Sequence, residues 1–233
     1  MKIAYRLTLL IGICILTLKV NAQDLNLIGR ANLGIGFDYL SQDFNGINTK
    51  YSPGGGLGFE AGLEGEINDD LFWYGTVGIT FNLNLHYEEV NGVTRRTSFS
   101  WNKKFFTAGA NKYFEVRSKF ISDFYGGGGL TLGIPGILRR TVNGNGNGNG
   151  NSGYLGRIKY KTSLGFQLHG GATLAITDGV LLRPELRYRF INYKSKSFSK
   201  GSLSDLEPGL KKANGQGVEI SVTIVKQIRG GRR

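Results

Sequence analysis

The sequence is poor in the residues that staple small domains or bind metals. Its 233 residues include one cysteine, Cys14, two histidines, His86 and His169, and four prolines. A single cysteine excludes a disulfide scaffold and a cysteine-based zinc site. Two histidines in distant segments do not make an all-histidine metal site, so no metal or cofactor is expected. No run reaches 18 consecutive apolar residues outside the first twenty positions, which excludes a membrane-spanning helix in the rest of the chain.

Basic charge and glycine are abundant. Lys and Arg number 29 against 17 Asp and Glu, a formal charge of +12, and there are 37 glycines. Such a balance would suggest nucleic acid for a chain that stays in the cytoplasm. The amino terminus directs this one elsewhere. Lys2 and Arg6 precede an apolar run over 7–18, and Val20-Asn21-Ala22 offers small residues after it. Residues 1–22 therefore read as a cleaved secretory signal peptide. Cleavage would remove Cys14, and Ile13 before it is not the small residue that lipid anchoring requires. An exported chain has no nucleic-acid partner.

From residue 23 to 228 the chain alternates apolar and polar with a period of two, which puts alternate residues on opposite faces of a strand. Leu25, Leu27, Leu33, Ile35 and Phe37 oppose Asn26, Arg30, Asn32 and Asp38; Leu57, Phe59 and Leu63 oppose Glu60, Glu64 and Glu66. The pattern recurs near 71–87, 120–134, 158–176, 180–190 and 218–224. In the segment 98–114 it slips: Phe99, Trp101 and Phe105 share one phase, and Phe106 and Ala108 take the other. A bulge near Lys104 is expected there. The connections alternate too, long near 40–54, 88–97, 135–156 and 194–215, short near 68–70, 115–119 and 177–179.

This pattern predicts an all-β fold, an eight-stranded antiparallel up-and-down transmembrane β-barrel with long extracellular loops and short periplasmic turns. A soluble ligand-binding barrel also alternates, with its apolar face inward. The rings on this apolar face, Phe59, Trp73, Phe81, Tyr87, Phe124, Tyr160 and Phe166, would overfill so narrow an interior. The glycine-rich polar face suits it better, so the apolar face is expected to meet lipid. Aromatics gather at both strand ends: Tyr39, Tyr87, Phe99, Trp101, Tyr160, Tyr188, Phe190 and Tyr193 near the long loops, and Trp73, Tyr113, Phe114, Phe120 and Phe124 near the short turns. Two interfacial girdles are expected. Residues 229–233 form a basic tail.

Three stretches, Gly29-Arg30-Ala31-Asn32-Leu33-Gly34-Ile35-Gly36, the glycine run Tyr125 to Gly133, and Leu182-Arg183-Pro184-Glu185-Leu186-Arg187-Tyr188-Arg189-Phe190, carry a resemblance. The chain resembles the small outer-membrane β-barrel proteins, OmpA/OmpX-like and PorT-like. The resemblance implies a Gram-negative type outer-membrane location, the barrel-assembly machinery as a partner during insertion, and surface or secretion partners. The final strand, Val222 to Lys226, departs from it in lacking the terminal aromatic such proteins carry.

Charges on the inward face must pair, because an isolated buried charge costs several kcal/mol. The inward set is Arg30, Asp38, Glu60, Glu64, Glu66, Lys159, Lys161, Arg183, Glu185, Arg187, Arg189 and Glu219, with acids of the second strand expected to reach bases of the seventh and plug the lumen. The alternative is that these rows line a narrow pore. The long loops and their rims are basic. Arg95, Arg96, Arg139, Arg140, Arg157, Lys194, Lys196 and Lys200 are candidates for contact with the phosphates of lipopolysaccharide. The Asn-Gly alternation over 143–151 reads as a loop tip that does not pack. His86 lies near Glu88, Ser98 and Ser100, and a lipid-modifying enzyme is the catalytic alternative. An interior hydrogen-bonding role for both histidines is the expected one, with a non-enzymatic structural or interaction role for the protein.

Overall fold

The computed structural model describes residues 24–229 except 38–39, 45–46, 91–92, 117, 119, 146–152 and 207, and no side chains at 24, 40–51, 83–97, 142–145, 153–155 and 229. The signal-peptide segment, Asp38, residues 230–233 and most of the Asn-Gly tract lie outside the described residues. Among these, the strands in chain order are β1 (Asp24–Gly36), β2 (Leu40–Phe44), β3 (Ile47–Tyr51), β4 (Gly56–Asn68), β5 (Leu71–Val90), β6 (Val93–Glu115) and β7 (Asp123–Pro135). They continue as β8 (Ile137–Asn145), β9 (Gly153–Tyr160), β10 (Ser163–Thr177), β11 (Val180–Phe190), β12 (Asn192–Phe198), β13 (Lys212–Asn214) and β14 (Gly217–Arg229).

Eight of them close a ring. β1 pairs antiparallel with both β4 and β14, and the ladder runs on through β5, β6, β7, β10 and β11 back to β14. Closure removes every sheet edge at this level. The short turns follow local chemistry. Asp178-Gly179 is a two-residue hairpin turn between Thr177 and Val180, with Gly179 at φ +75° as that turn requires. Asp69-Asp70 joins β4 to β5, and the Asn68 side chain accepts from the Leu71 N–H at 3.0 Å.

On the long-loop side the strands continue. β5 and β6 pair without interruption from Leu71↔Lys112 to Val90↔Val93, so most of the connection expected over 88–97 is paired strand. β8, β9, β12 and β13 add to β6 and form a wall above the ring. Of the described residues, Leu203–Asp205 and Pro208–Lys211 form short helical turns that fold over this end.

The outward face of the ring is apolar. Leu33, Leu130, Leu164 and Ile220 are each more than 60 % exposed, and Phe59, Phe81, Phe106, Phe124 and Phe166 join them. From Leu27 to Phe37 this belt rises about 25 Å, taking about 3.3 Å per residue and a tilt of about 40°. Its height matches a bilayer's hydrocarbon core crossed by a barrel. The inward face is polar and close-packed. Gly129 is glycine because a Cβ there would stand 2.5 Å from the Tyr74 hydroxyl.

Two expectations about faces fail. β6 has no bulge near Lys104, since its registers with β5 and β7 are continuous. Phe99, Trp101 and Phe105 point inward with Thr107, while Lys104 and Phe106 point outward. The slip lies instead between β9 and β10. Ile158 and Tyr160 are buried inside, Lys159 and Lys161 are exposed outside, and below Thr162 the inward residues become Gln167 and His169. Lys159 and Lys161 therefore do not enter the lumen, and Phe99, Trp101, Tyr160 and Tyr193 form no lipid-facing girdle.

Candidate functional site

Three regions carry chemistry: the lumen, the mouth above it and the outer wall. In the lumen, three arginines and three glutamates form one cluster. Arg30 of β1 pairs with Glu60 of β4 at 2.8 Å and with Glu185 of β11 at 3.1 Å. Arg187 contacts Glu60, Glu185 (2.9 Å) and Glu219 (3.3 Å), and Arg189 bridges Glu60 and Glu219, both at 2.9 Å. A separate pair lies nearer the short-turn end, where Arg183 meets Glu64 at 2.8 Å. Each set is electrically balanced, which is what a dry interior demands. All eight side chains are buried, Arg187 and Glu64 completely.

Neutral groups complete the network; of these the sequence marked His169 as an interior hydrogen-bonder, passed over Asn111, and assigned Tyr113 to the girdle near the short turns. Glu64 also accepts from Asn111 (2.9 Å) and the Tyr113 hydroxyl (2.6 Å), and Tyr125 donates to Glu185 at 3.0 Å. His169 shares a 2.7 Å hydrogen bond with Asn111 and packs edge-on to Tyr74. Their signal was present: Tyr113, Asn111 and His169 share the polar phase of their strands. Glu66, one pleat beyond Glu64, is half-buried. Below the pair opens a vestibule of about 500 Å³ lined by Arg183, Tyr113, Asn26 and the acids Asp69, Asp70, Glu115 and Asp123.

The mouth is closed differently. Phe99, Trp101, Phe105, Leu138, Ile158, Tyr160, Ile191 and Tyr193 make an apolar core inside the wall, and Leu206, Leu210 and Ala213 of the last long loop fill it from above. Tyr160 donates its hydroxyl to the Leu210 carbonyl at 3.0 Å. Lys103, also buried, donates to the Pro53 and Gly55 carbonyls, and Asn82 to Ser52 at 2.9 Å, which holds the turn before β4 across the opening.

The outer wall is basic. Lys104, Arg139, Arg157, Lys159, Lys161, Lys194, Lys196 and Lys212 are exposed on it, and Lys200 is exposed on the following turn. The wall segments 98–104, 137–141, 156–161, 192–198 and 212–214 contain no acid. Arg140 is a correction: it is only 3 % exposed and turns inward, its guanidinium 5.7 Å from the Phe198 ring. Alternation on β8 sends 138 and 140 inside together. Arg95 and Arg96 lie on β6, with side chains outside the described set, and so does the side chain of His86 on β5. Among the described residues no three His, Cys, Asp or Glu side chains are grouped to hold a metal ion.

A closed ring whose outside is greasy and whose inside is charged fits hydrocarbon around it, not water. The protein is an outer-membrane β-barrel. No protein-family model matches the chain, and no curated protein matches its sequence. Solved structures similar to it include Neisserial surface protein A, at 18 % identity and a TM-score of 0.47, covering 88 % of this chain and 97 % of that one. Ail, the attachment invasion locus protein of Yersinia pestis, solved with a heparin analogue, shares 12 % identity at a TM-score of 0.41, over 88 % and 99 %. CarO2 of Acinetobacter baumannii shares 13 % at 0.43, over 88 % and 100 %.

Proposed function

We propose that this barrel is a non-conducting, non-enzymatic anchor that holds lipopolysaccharide against the basic wall on its outer side. The observation that carries the reading is the one-sidedness of the wall: among the described residues of 98–104, 137–141, 156–161, 192–198 and 212–214 every exposed charge is a lysine or arginine, directly above the belt that meets acyl chains. Phosphate groups of an outer-leaflet glycolipid would lie at that height, and charge-assisted hydrogen bonds to them are the strong kind. The balanced charges in the lumen and the aromatic seal above them support a closed barrel. His169 is buried against Asn111, which favours an interior structural role over catalysis.

The test is binding of lipopolysaccharide to the protein in phosphatidylcholine nanodiscs. Exchanging Arg139, Lys159, Lys194 and Lys212 for glutamine together should weaken binding at least tenfold and flatten its salt dependence. Unchanged affinity would refute the wall as the site. Steady single-channel conductance of the unaltered protein in planar bilayers would refute the closed lumen.

A further inference from the structure

Two places on the wall set like charges directly against each other. On the outward face, Arg139 of β8 is the register partner of Arg157 of β9, and Lys194 of β12 is the partner of Lys212 of β13. Directly opposed cross-strand residues stand about 5 Å apart at Cβ, and like charges there are destabilising. The second pair is extended sideways, because Lys161 donates its backbone N–H to the Lys194 carbonyl at 2.9 Å. Lys161, Lys194 and Lys212, all exposed, therefore form a row across β13, β12 and the residue that follows β9, at the level where β9 gives way to β10.

The chemistry of such pairs is specific. A phosphate monoester carries close to two negative charges near neutral pH and several acceptor oxygens. Seated between two cationic side chains rooted about 5 Å apart at Cβ, it converts a repulsion into two charge-assisted contacts. The upper pair and the lower row are four residues apart along β9, from Arg157 to Lys161, about 13 Å at the strand rise. One phosphate group cannot touch both. A sugar headgroup with a phosphate at each end spans such a gap, with Lys159 exposed between them. Beneath the lower row the outward residues turn apolar at Leu164 and Phe166, 62 % and 41 % exposed, where the acyl chains of the same lipid would lie.

We infer that the wall carries two phosphate clamps, Arg139 with Arg157 and Lys194 with Lys212 and Lys161, that together select a glycolipid bearing two phosphates on one disaccharide headgroup. The inference rests on the proposed lipopolysaccharide-holding function and narrows its ligand. The experiment compares bisphosphorylated and monophosphorylated lipid A binding to the full chain in phosphatidylcholine nanodiscs. The bisphosphorylated lipid should bind at least tenfold more tightly. R139Q/R157Q and K194Q/K212Q should each abolish that preference while leaving the monophosphorylated lipid within about threefold. R139K/R157K, which keeps the charges, should retain it. Heat-modifiable gel mobility checks that each variant has folded. Equal binding of the two lipids by the unaltered protein, or a preference that survives in both glutamine variants, would overturn the clamps and leave lipopolysaccharide binding standing. Failure of the unaltered protein to bind either lipid would sink the broader reading as well.

Discussion

Below the level of Lys104 and Lys161 the barrel is charged inside and greasy outside. Above it, the strands that continue are mainly apolar inside, with Lys103 and Arg140 turned in among the rings, and basic outside. β6 shows both states in one unbroken phase: Phe99 and Trp101 point inward above, Phe105 at the boundary, and Thr107 and Asn111 inward below. β11 and β12 do the same, with Arg187 and Arg189 giving way to Ile191 and Tyr193. The backbone is alike in the two regions; the surrounding medium is not. Where hydrocarbon covers the outside, burial on that face needs no protein partner, and the inside is free to hold ion pairs. Where water covers the outside, apolar side chains gain from burial only by turning in, at about 25 cal/mol per Å² removed from water.

That contrast breaks most severely in the lumen. Glu60 faces Arg30, Arg187 and Arg189 together, so Glu60→Gln leaves an uncompensated positive charge among buried groups. A loss of about 3–5 kcal/mol is expected, read from urea unfolding in lipid vesicles. A loss below about 1 kcal/mol would mean that water reaches the cluster. The outer face gives the next test. Leu130→Arg places a charge in the belt and should cost about 2–4 kcal/mol at the midplane. Arg139→Leu, the opposite exchange above the boundary, should stay within about 0.5 kcal/mol. Similar costs for the two exchanges would show that the boundary has been drawn at the wrong height.

The same contrast explains what was readable in the sequence. The closed eight-stranded ring and its inward charges follow from strict alternation over β1, β4, β11 and β14, all of which lie within one medium. The reading failed at strands that cross the boundary. β6 looked slipped because the identity of its inward residues changes while its geometry does not. β9 and β10 looked continuous because a real one-residue shift at Lys161-Thr162 coincides with the change of medium and hides it. Partner choice in the lumen was legible only coarsely. Glu64 takes Arg183 while Glu60 takes Arg187, and such choices depend on the stagger of the closed ring, which alternation does not encode. Leu206 and Leu210 lie on no periodic segment, so nothing marked them as the seal.

The smallest effect belongs to that seal. Leu206 and Leu210 are 4 % and 2 % exposed, whereas residues 201–205 and 208–209 beside them are exposed, so few contacts hold the segment down. A polar tie from the core beneath reaches this segment through the Tyr160 hydroxyl on the Leu210 carbonyl. Tyr160→Phe keeps the ring against Trp101, centroids 4.9 Å apart, and removes only that bond. The cost should be about 0.5–1.5 kcal/mol. It should appear as faster amide exchange or protease cleavage in 199–212, with gel mobility and unfolding of the ring unchanged. Local loss with the ring intact is expected because opening free energies differ across a structure, and loosely held loops sit at the low end. If Tyr160→Phe instead lowered the stability of the whole barrel by that amount, the two tiers would unfold as one unit, and the boundary between them would be a change of medium without a change of cooperativity.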